Sequence, residues 1–370
     1  MSNSRVRISP GQLLAILACL TYGKSIGYTN GVLARNVAQD AWIAISLAFL
    51  SGLVLLWAVV WLARRFADQT PATYIPRLLG RPLGSLVMLL LALFFLGSFI
   101  TSAVTIEQHI NDYLLTETPL VVFVIGYTLL TVYGVYLGIE VAGRLAALGL
   151  TCAALLNFSM GIGAMDKLDV TRLLPVLDHP LPRIMGATLQ AQHDVLMAVV
   201  GALLLFPLAR KPERWLRSGA WALGLGAVLI LTWTIFEIGV LSPEVTAQYL
   251  ISCMQMARAS ELSIYLHRYE LVMVILFVYS VITQSVVCLF GACELTAAAL
   301  PWRVPRGWMV LGLGILSMVP QYYLAYDRDR YRAFLAIPLP WAALALGMGV
   351  PLLLCLVALF RRKLTGVSRT

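Results

Sequence analysis

Charge is what this 370-residue sequence has least of. Asp, Glu, Lys and Arg together make up 12% of it, against 60% hydrophobic residues. A soluble domain carries about 25% charged residues, so a soluble enzyme and a disordered chain are both excluded. The six cysteines show no C-x-x-C or Cys/His spacing, which leaves neither a zinc site nor a disulfide framework to expect. The four histidines are scattered. Nucleophile elbow, P-loop, H-E-x-x-H and catalytically spaced carboxylates are all missing. The sequence therefore leads to the expectation of no enzyme, no cofactor and no metal.

What is present is a succession of apolar runs long enough to cross a bilayer as helices. Ten are expected, at about 8–33, 41–63, 84–106, 119–137, 144–163, 185–208, 218–240, 270–291, 307–325 and 339–360. The connections are short, so residues 1–370 read as one all-α polytopic membrane domain surrounded by lipid. Two connections, 68–80 and 245–266, repeat apolar residues at helical spacing and read as amphipathic helices in the headgroup region, the second a surface helix covering the bundle, or a lid or docking site. The net charge of +9 is not a nucleic-acid footprint. With ten crossings, 17 Lys and Arg fall on the face that holds both termini and 9 on the other. The positive-inside rule then makes both termini cytoplasmic. Cleavage of the first run as a signal peptide is not expected, since its apolar core is short and edged by Pro10 and Gly11.

Polar residues inside spans are expensive and mark functional positions. The first span carries Thr21, Tyr22, Gly23, Lys24, Ser25 and Gly27 in a stretch ending at Gly31, a composition that makes a poor continuous helix. The sixth carries Gln190, Gln192, His193 and Asp194 before the uniformly apolar Val195–Leu205. These anomalies occupy matching places in two sets of five spans, about 8–163 and 185–360. That is the pattern of secondary transporters built from an inverted five-helix repeat, of the LeuT type, with ligand at discontinuous first and sixth helices. Free helix-end amides suit a carboxylate, and a side-chain carboxylate suits an ammonium. A free amino acid offers both charges.

Each residue also has a structural reading. Lys24 forms an ion pair with Asp194, or it meets a ligand or a proton in place of a coupling ion. His193 and Asp194 make a proton relay or a satisfied structural pair. Glu237, near the end of the seventh span, reads as structural. Ser98, Thr101 and Ser102 line a cavity or bond back to their own helix.

Several local patterns resemble one family. Ile8-Ser9-Pro10-Gly11-Gln12, Asp40-Ala41-Trp42-Ile43, Leu79-Gly80-Arg81-Pro82-Leu83-Gly84, Leu174-Pro175-Val176-Leu177 and His267-Arg268-Tyr269-Glu270 stand in the order and spacing of the B subunits of spore nutrient-germinant receptors. The resemblance covers the whole chain. It implies membership of the amino acid–polyamine–organocation superfamily, and action beside a larger membrane-anchored A subunit and a lipoprotein C subunit in the inner membrane of the endospore. The subunit would sense a small germinant, commonly an amino acid. Residues matching the ligand region are Thr21, Tyr22, Gly23, Ser25 and Gly27 with Gln190, Gln192, His193 and Asp194. Lys24 departs from the family, where a small or apolar residue is usual, and a proline near the end of the first span is missing. A proton-coupled amino-acid or polyamine transporter on the same fold is the alternative.

Overall fold

Ser9 opens the bundle. Its side chain accepts from the Gln12 amide at 3.2 Å while its own amide donates to Gln12 Oε1 at 2.8 Å, and Pro10 occupies the first turn. Two orphan donors are thereby satisfied and the chain enters helix α1 with its φ preset. The computed structural model describes residues 8–67, 69–260, 269–302 and 304–361, and of residues 24–26 the backbone alone. Among the described residues there is no β-strand beyond a single bridge from Ile8 to Ala209. That bridge ties the start of the chain to its middle.

The membrane helices are α1 (Pro10–Val37), α2 (Ala41–Arg65), α4 (Arg81–Tyr113), α5 (Leu120–Leu137), α6 (Ile139–Ala164), α7 (Leu181–Leu205), α8 (Trp215–Leu241), α11 (Tyr269–Ala299) and α12 (Arg306–Tyr326). A last span follows as α14 (Pro338–Ala342), a π-helical segment Ala343–Gly349 and α15 (Val350–Phe360). Four short helices connect them: α3 (Pro71–Leu79), α9 (Pro243–Gln248), α10 (Ser252–Ala259) and α13 (Arg328–Ala336). All ten expected spans fall on these helices. Among the described residues nine helical stretches are long and apolar enough to cross a membrane, one of them joining the second half of α1 to α2, and Pro10–Gly23 adds a shorter apolar piece.

Helix α7 is the centre of the bundle. Every residue from Ala191 to Leu205 is buried, and 94% of its most apolar stretch lies inside, against 28% for the lipid-facing α5. A run with no polar face suits such burial as well as it suits contact with lipid. Packing follows a five-helix repeat: adding five to the span number turns the α2–α7 pairing into α8–α1, and α5–α11 into α12–α4. The pairs α1–α7, α2–α8, α4–α11 and α5–α12 map onto themselves.

The expected interruptions are not there. Both α1 and α7 run as continuous α-helices, the latter closing in a 3₁₀ turn at Phe206–Leu208. The glycines that suggested a break instead allow close approach. A Cβ on Gly23 would lie 2.6 Å from Gln284 Oε1 and 3.1 Å from the Ser280 carbonyl oxygen of α11. One on Gly27 would meet Thr105 Cγ2 at 2.9 Å and His109 Cε1 at 3.0 Å, and one on Gly31 the Tyr249 carbonyl oxygen at 2.7 Å. Small residues that let backbones approach are a general device of membrane helix packing.

The first amphipathic connection is helical as expected over Pro71–Leu79, whereas the second is not one helix: Tyr249–Ile251 interrupt it between α9 and α10, and residues 261–266 lie outside the described residues. In α3 the buried side is Tyr74, Ile75 and Leu78, with Phe66 stacked on Tyr74 at 4.9 Å. In α10 Ser252, Cys253, Met254, Met256 and Ala257 are all buried, so this segment enters the bundle against α1 and α8. Arg35 fixes the end of α9 before it by donating to the carbonyls of Ala247 (2.7 Å) and Tyr249 (3.0 Å). Residues 261–268, with His267 and Arg268, lie outside the described residues. Between α6 and α7, the Thr171 hydroxyl and amide donate to Asp169, holding its carboxyl below the usual range.

Candidate functional site

Helical spacing decides which polar residues of α7 act together. Positions 190, 193 and 194 share a face, whereas 192 is turned well round the helix. Accordingly Gln190, His193 and Asp194 line one pocket with Tyr28 and Thr29 of α1, closed by Leu335 of α13 and Leu339 at the start of the last span. Gln192 instead accepts a 3.0 Å hydrogen bond from Ser51 on α2.

The link across the pocket is direct. Thr29 Oγ1 donates to Asp194 Oδ2 at 2.7 Å, and Asp194 Oδ1 lies 3.3 Å from His193 Nδ1. Asp194 is 5% exposed and His193 2%. One helical turn outward, Asn36 donates to Gln190 Oε1 at 2.7 Å. On the other side Tyr28 donates to Gln108 Oε1 of α4 at 2.6 Å, with its ring edge-on to Tyr331 (5.1 Å) and His109 (6.2 Å). A buried carboxyl group, an imidazole, one amide and two hydroxyls thus converge on a cavity of about 30 Å³. That volume holds about one water, less than an amino acid needs.

The remaining expected residues of α1 face elsewhere. Thr21 Oγ1 donates to the Ala18 carbonyl at 2.7 Å and abuts Gly226 of α8. Tyr22 OH accepts from Asn157 Nδ2 of α6 at 2.7 Å. Gly23 and Gly27 lie against α11 and α4. The side chains of Lys24 and Ser25 lie outside the described residues. Tyr28 and Thr29 belong to the pocket although the sequence reading did not single them out. The helical repeat 28, 29, 32, 33 on an uninterrupted α1 is the signal that finds them.

Next to Thr29 along α1, Asn30 donates from Nδ2 to the fully buried Glu237 at 2.7 Å, and Thr234 donates to Asn30 Oδ1 at 2.8 Å. This fastens α1 to α8. Ser98, Thr101 and Ser102 are buried, and the last two donate to Ser98's carbonyl. Among the described residues no group of three or more His, Cys, Asp or Glu is placed to hold a metal ion.

Residues 7–327 match the family described as Spore germination protein. The chain belongs to that family. As a spore germination protein it is 24% identical over 371 residues to Spore germination protein KB of Bacillus subtilis (strain 168), covering 97% of this chain and 96% of that one. It is 17% identical over 263 residues to Spore germination protein YndE of the same organism, covering 70% and 72%. Among solved structures it is similar to a nucleobase-cation-symport-1 family transporter in a closed conformation with bromovinylhydantoin bound. The TM-score is 0.73 at 14% identity, covering 100% of this chain and 84% of that one. It is also similar to MhsT in complex with L-phenylalanine, with a TM-score of 0.66 at 12% identity, covering 97% and 92%. These likenesses establish the fold: a transporter-type, LeuT-like bundle in a germination-family membrane protein.

Proposed function

We propose that this chain is the integral membrane subunit of a spore germinant receptor, binding a small nutrient, an amino acid, between α1 and α7. The observation that carries the reading is the Thr29–Asp194 bond. It ties the pseudo-equivalent first and sixth spans together at a small pocket on a fold shared with MhsT, whose structure is in complex with L-phenylalanine. Asp194 supplies the negative partner for an ammonium, while Gln190 and the Tyr28 and Thr29 hydroxyls supply neutral partners for the rest of the ligand. Opening the pocket costs the Thr29–Asp194 bond, and a ligand ammonium replaces it. Occupancy thereby shifts α1 relative to α7. No covalent bond changes at the site: the chain signals and does not catalyse.

The signal passes to A and C partner subunits in the spore inner membrane, with both termini of this chain in the cytoplasm. Deleting the gene and testing germination against single amino acids, sugars and nucleosides is the direct test. Loss of response to one amino acid, with normal uptake of it, is the expected result. A second reading, a proton-coupled amino-acid or polyamine transporter, is favoured by the transporter fold itself. Accumulation of labelled amino acid by proteoliposomes holding this chain alone would overturn the sensor reading.

A further inference from the structure

Glu107 stands apart from everything described so far. It lies on α4, roughly 39 Å along the helix from Arg81, and therefore close to the membrane boundary opposite the termini. It is 1% exposed, and neither carboxyl oxygen has a hydrogen-bond partner. Its neighbours Gln108 and His109 are engaged, Gln108 with Tyr28 and the Ala325 carbonyl, His109 with the Thr105 carbonyl. Buried polar groups are nearly always satisfied, and an acid at membrane depth is costly, so an orphan acid here calls for a partner.

Beside it is a pocket of about 260 Å³ between α4, α5 and α11. Glu107 is the one acidic residue in its lining, and Ile110, Val122, Phe123, Leu130 and Ile282 supply apolar walls. Tyr127 also lines it, but its hydroxyl is paired with Ser285 at 2.8 Å. Val122 and Leu130 are 53% and 46% exposed, on the side that faces lipid. Along α5 they are about 12 Å apart, so the pocket runs from the membrane boundary down into the near leaflet. Gly126, midway, has no atom within 4 Å of where a Cβ would stand, which keeps the channel open.

We infer that this lateral pocket binds an amphiphilic primary amine, its ammonium on Glu107 and its alkyl chain lying along α5 within the lipid. Charge complementarity at one end and an apolar slot at the other select a head and tail of that chemistry. A neutral amine meeting the protonated acid gives the same pair, the proton passing from carboxyl oxygen to amine nitrogen. The source is either a free alkylamine or the ethanolamine head of a membrane lipid. The site is separate from the pocket at Asp194, and the inference does not rest on the germinant reading.

The test uses the full chain in nanodiscs of phosphatidylcholine, with octylammonium as probe and octanol as its uncharged counterpart. Octylammonium is expected to bind saturably and octanol about tenfold or more weakly. Glu107→Gln should weaken octylammonium by about that factor and leave octanol unchanged. Gly126→Leu, filling the slot without touching the acid, should weaken both. Competition by added phosphatidylethanolamine identifies the lipid source; its failure to compete identifies the free amine. Equal binding of octylammonium and octanol, or undiminished octylammonium binding in either variant, would overturn the inference. If Glu107→Gln yields no monodisperse protein, the Gly126→Leu and octanol arms decide alone.

Discussion

Thr29 and Asp194, 165 positions apart in sequence, are joined by a 2.7 Å hydrogen bond that closes the pocket between α1 and α7. The acceptor is a buried carboxylate, so this is a charge-assisted bond, worth about 1.5–3 kcal/mol. Removing the donor and removing the charge have different consequences. Thr29→Val leaves Asp194 able to meet a ligand ammonium but releases one side of the closed state. Asp194→Asn removes the charge itself. We expect Asp194→Asn to shift the germinant dose–response by about tenfold or more toward higher concentration. Thr29→Val removes the bond that ligand entry must break and should shift it the other way, toward lower concentration, with both proteins at normal level in the membrane by immunoblot. A normal dose–response in Asp194→Asn would place the ligand elsewhere.

Gly23 gives a prediction of a different kind. A valine there must push against Gln284 and against the backbone of Ser280, which cannot swing away. The better helix propensity of valine, under about 1 kcal/mol over glycine, is outweighed by overpacking of about 1–3 kcal/mol. Gly23→Val should therefore lower the melting temperature of the purified chain and its level in the membrane. Gly97→Ala, where nothing lies within 4 Å, should do neither. An unchanged melting temperature in Gly23→Val would contradict the close approach of α1 to α11.

That glycine also marks the limit of what the sequence carries. The apolar run Val195–Leu205 was legible as a membrane span, but its central place was not, because lipid-facing α5 is just as apolar. The pairing of the first and sixth spans was legible from where Gln190, His193 and Asp194 interrupt it. Gly23, Gly27 and Gly31 were misread as a break, because a glycine accommodating a neighbour and a glycine freeing a backbone look identical in one chain. The course of the helix also decides which residues of α1 meet the pocket. On a broken helix Thr21–Gly27 line the cavity, whereas on a continuous one the face carrying Tyr28 and Thr29 does. Glu107 escaped notice because it sits one position past the expected end of its span. The π-helical segment at Ala343–Gly349 has no signature in composition, since its Gly347 serves the close contact with Leu196.

Asn30 and Glu237 supply a stability prediction. Both are buried, and Asn30 is the donor to a carboxyl that water does not reach. Asn30→Leu strands that carboxyl, at a cost of about 1–3 kcal/mol or more. Replacing both partners by leucine removes the stranded group and should recover part of the loss. Thermal unfolding in one detergent across wild type, Asn30→Leu, Glu237→Leu and the double variant measures the coupling. Additive losses would show that the two side chains do not act as a pair.

Tyr28 ties α1 to two other elements beside the pocket. Its hydroxyl donates to Gln108 of α4, and its ring meets Tyr331 of α13 and His109 of α4 edge-on. The two kinds of contact separate cleanly. Tyr28→Phe keeps both ring contacts and loses one bond, leaving Gln108 Oε1 without its donor in a buried place. The expected cost is about 1–3 kcal/mol, with the melting temperature lowered modestly. Tyr28→Ala also removes the ring packing, at about 3–5 kcal/mol for an aromatic truncation, and opens space between α1, α4 and α13. If the tyrosine only fills volume, Tyr28→Phe should respond to nutrient like wild type. If the hydroxyl holds α1 against α4 in the closed pocket, Tyr28→Phe should alter the dose–response while its protein level stays normal. The position of Tyr28 directly before Thr29 favours the second outcome, because any movement of α1 that breaks the Asp194 bond also strains the Gln108 bond.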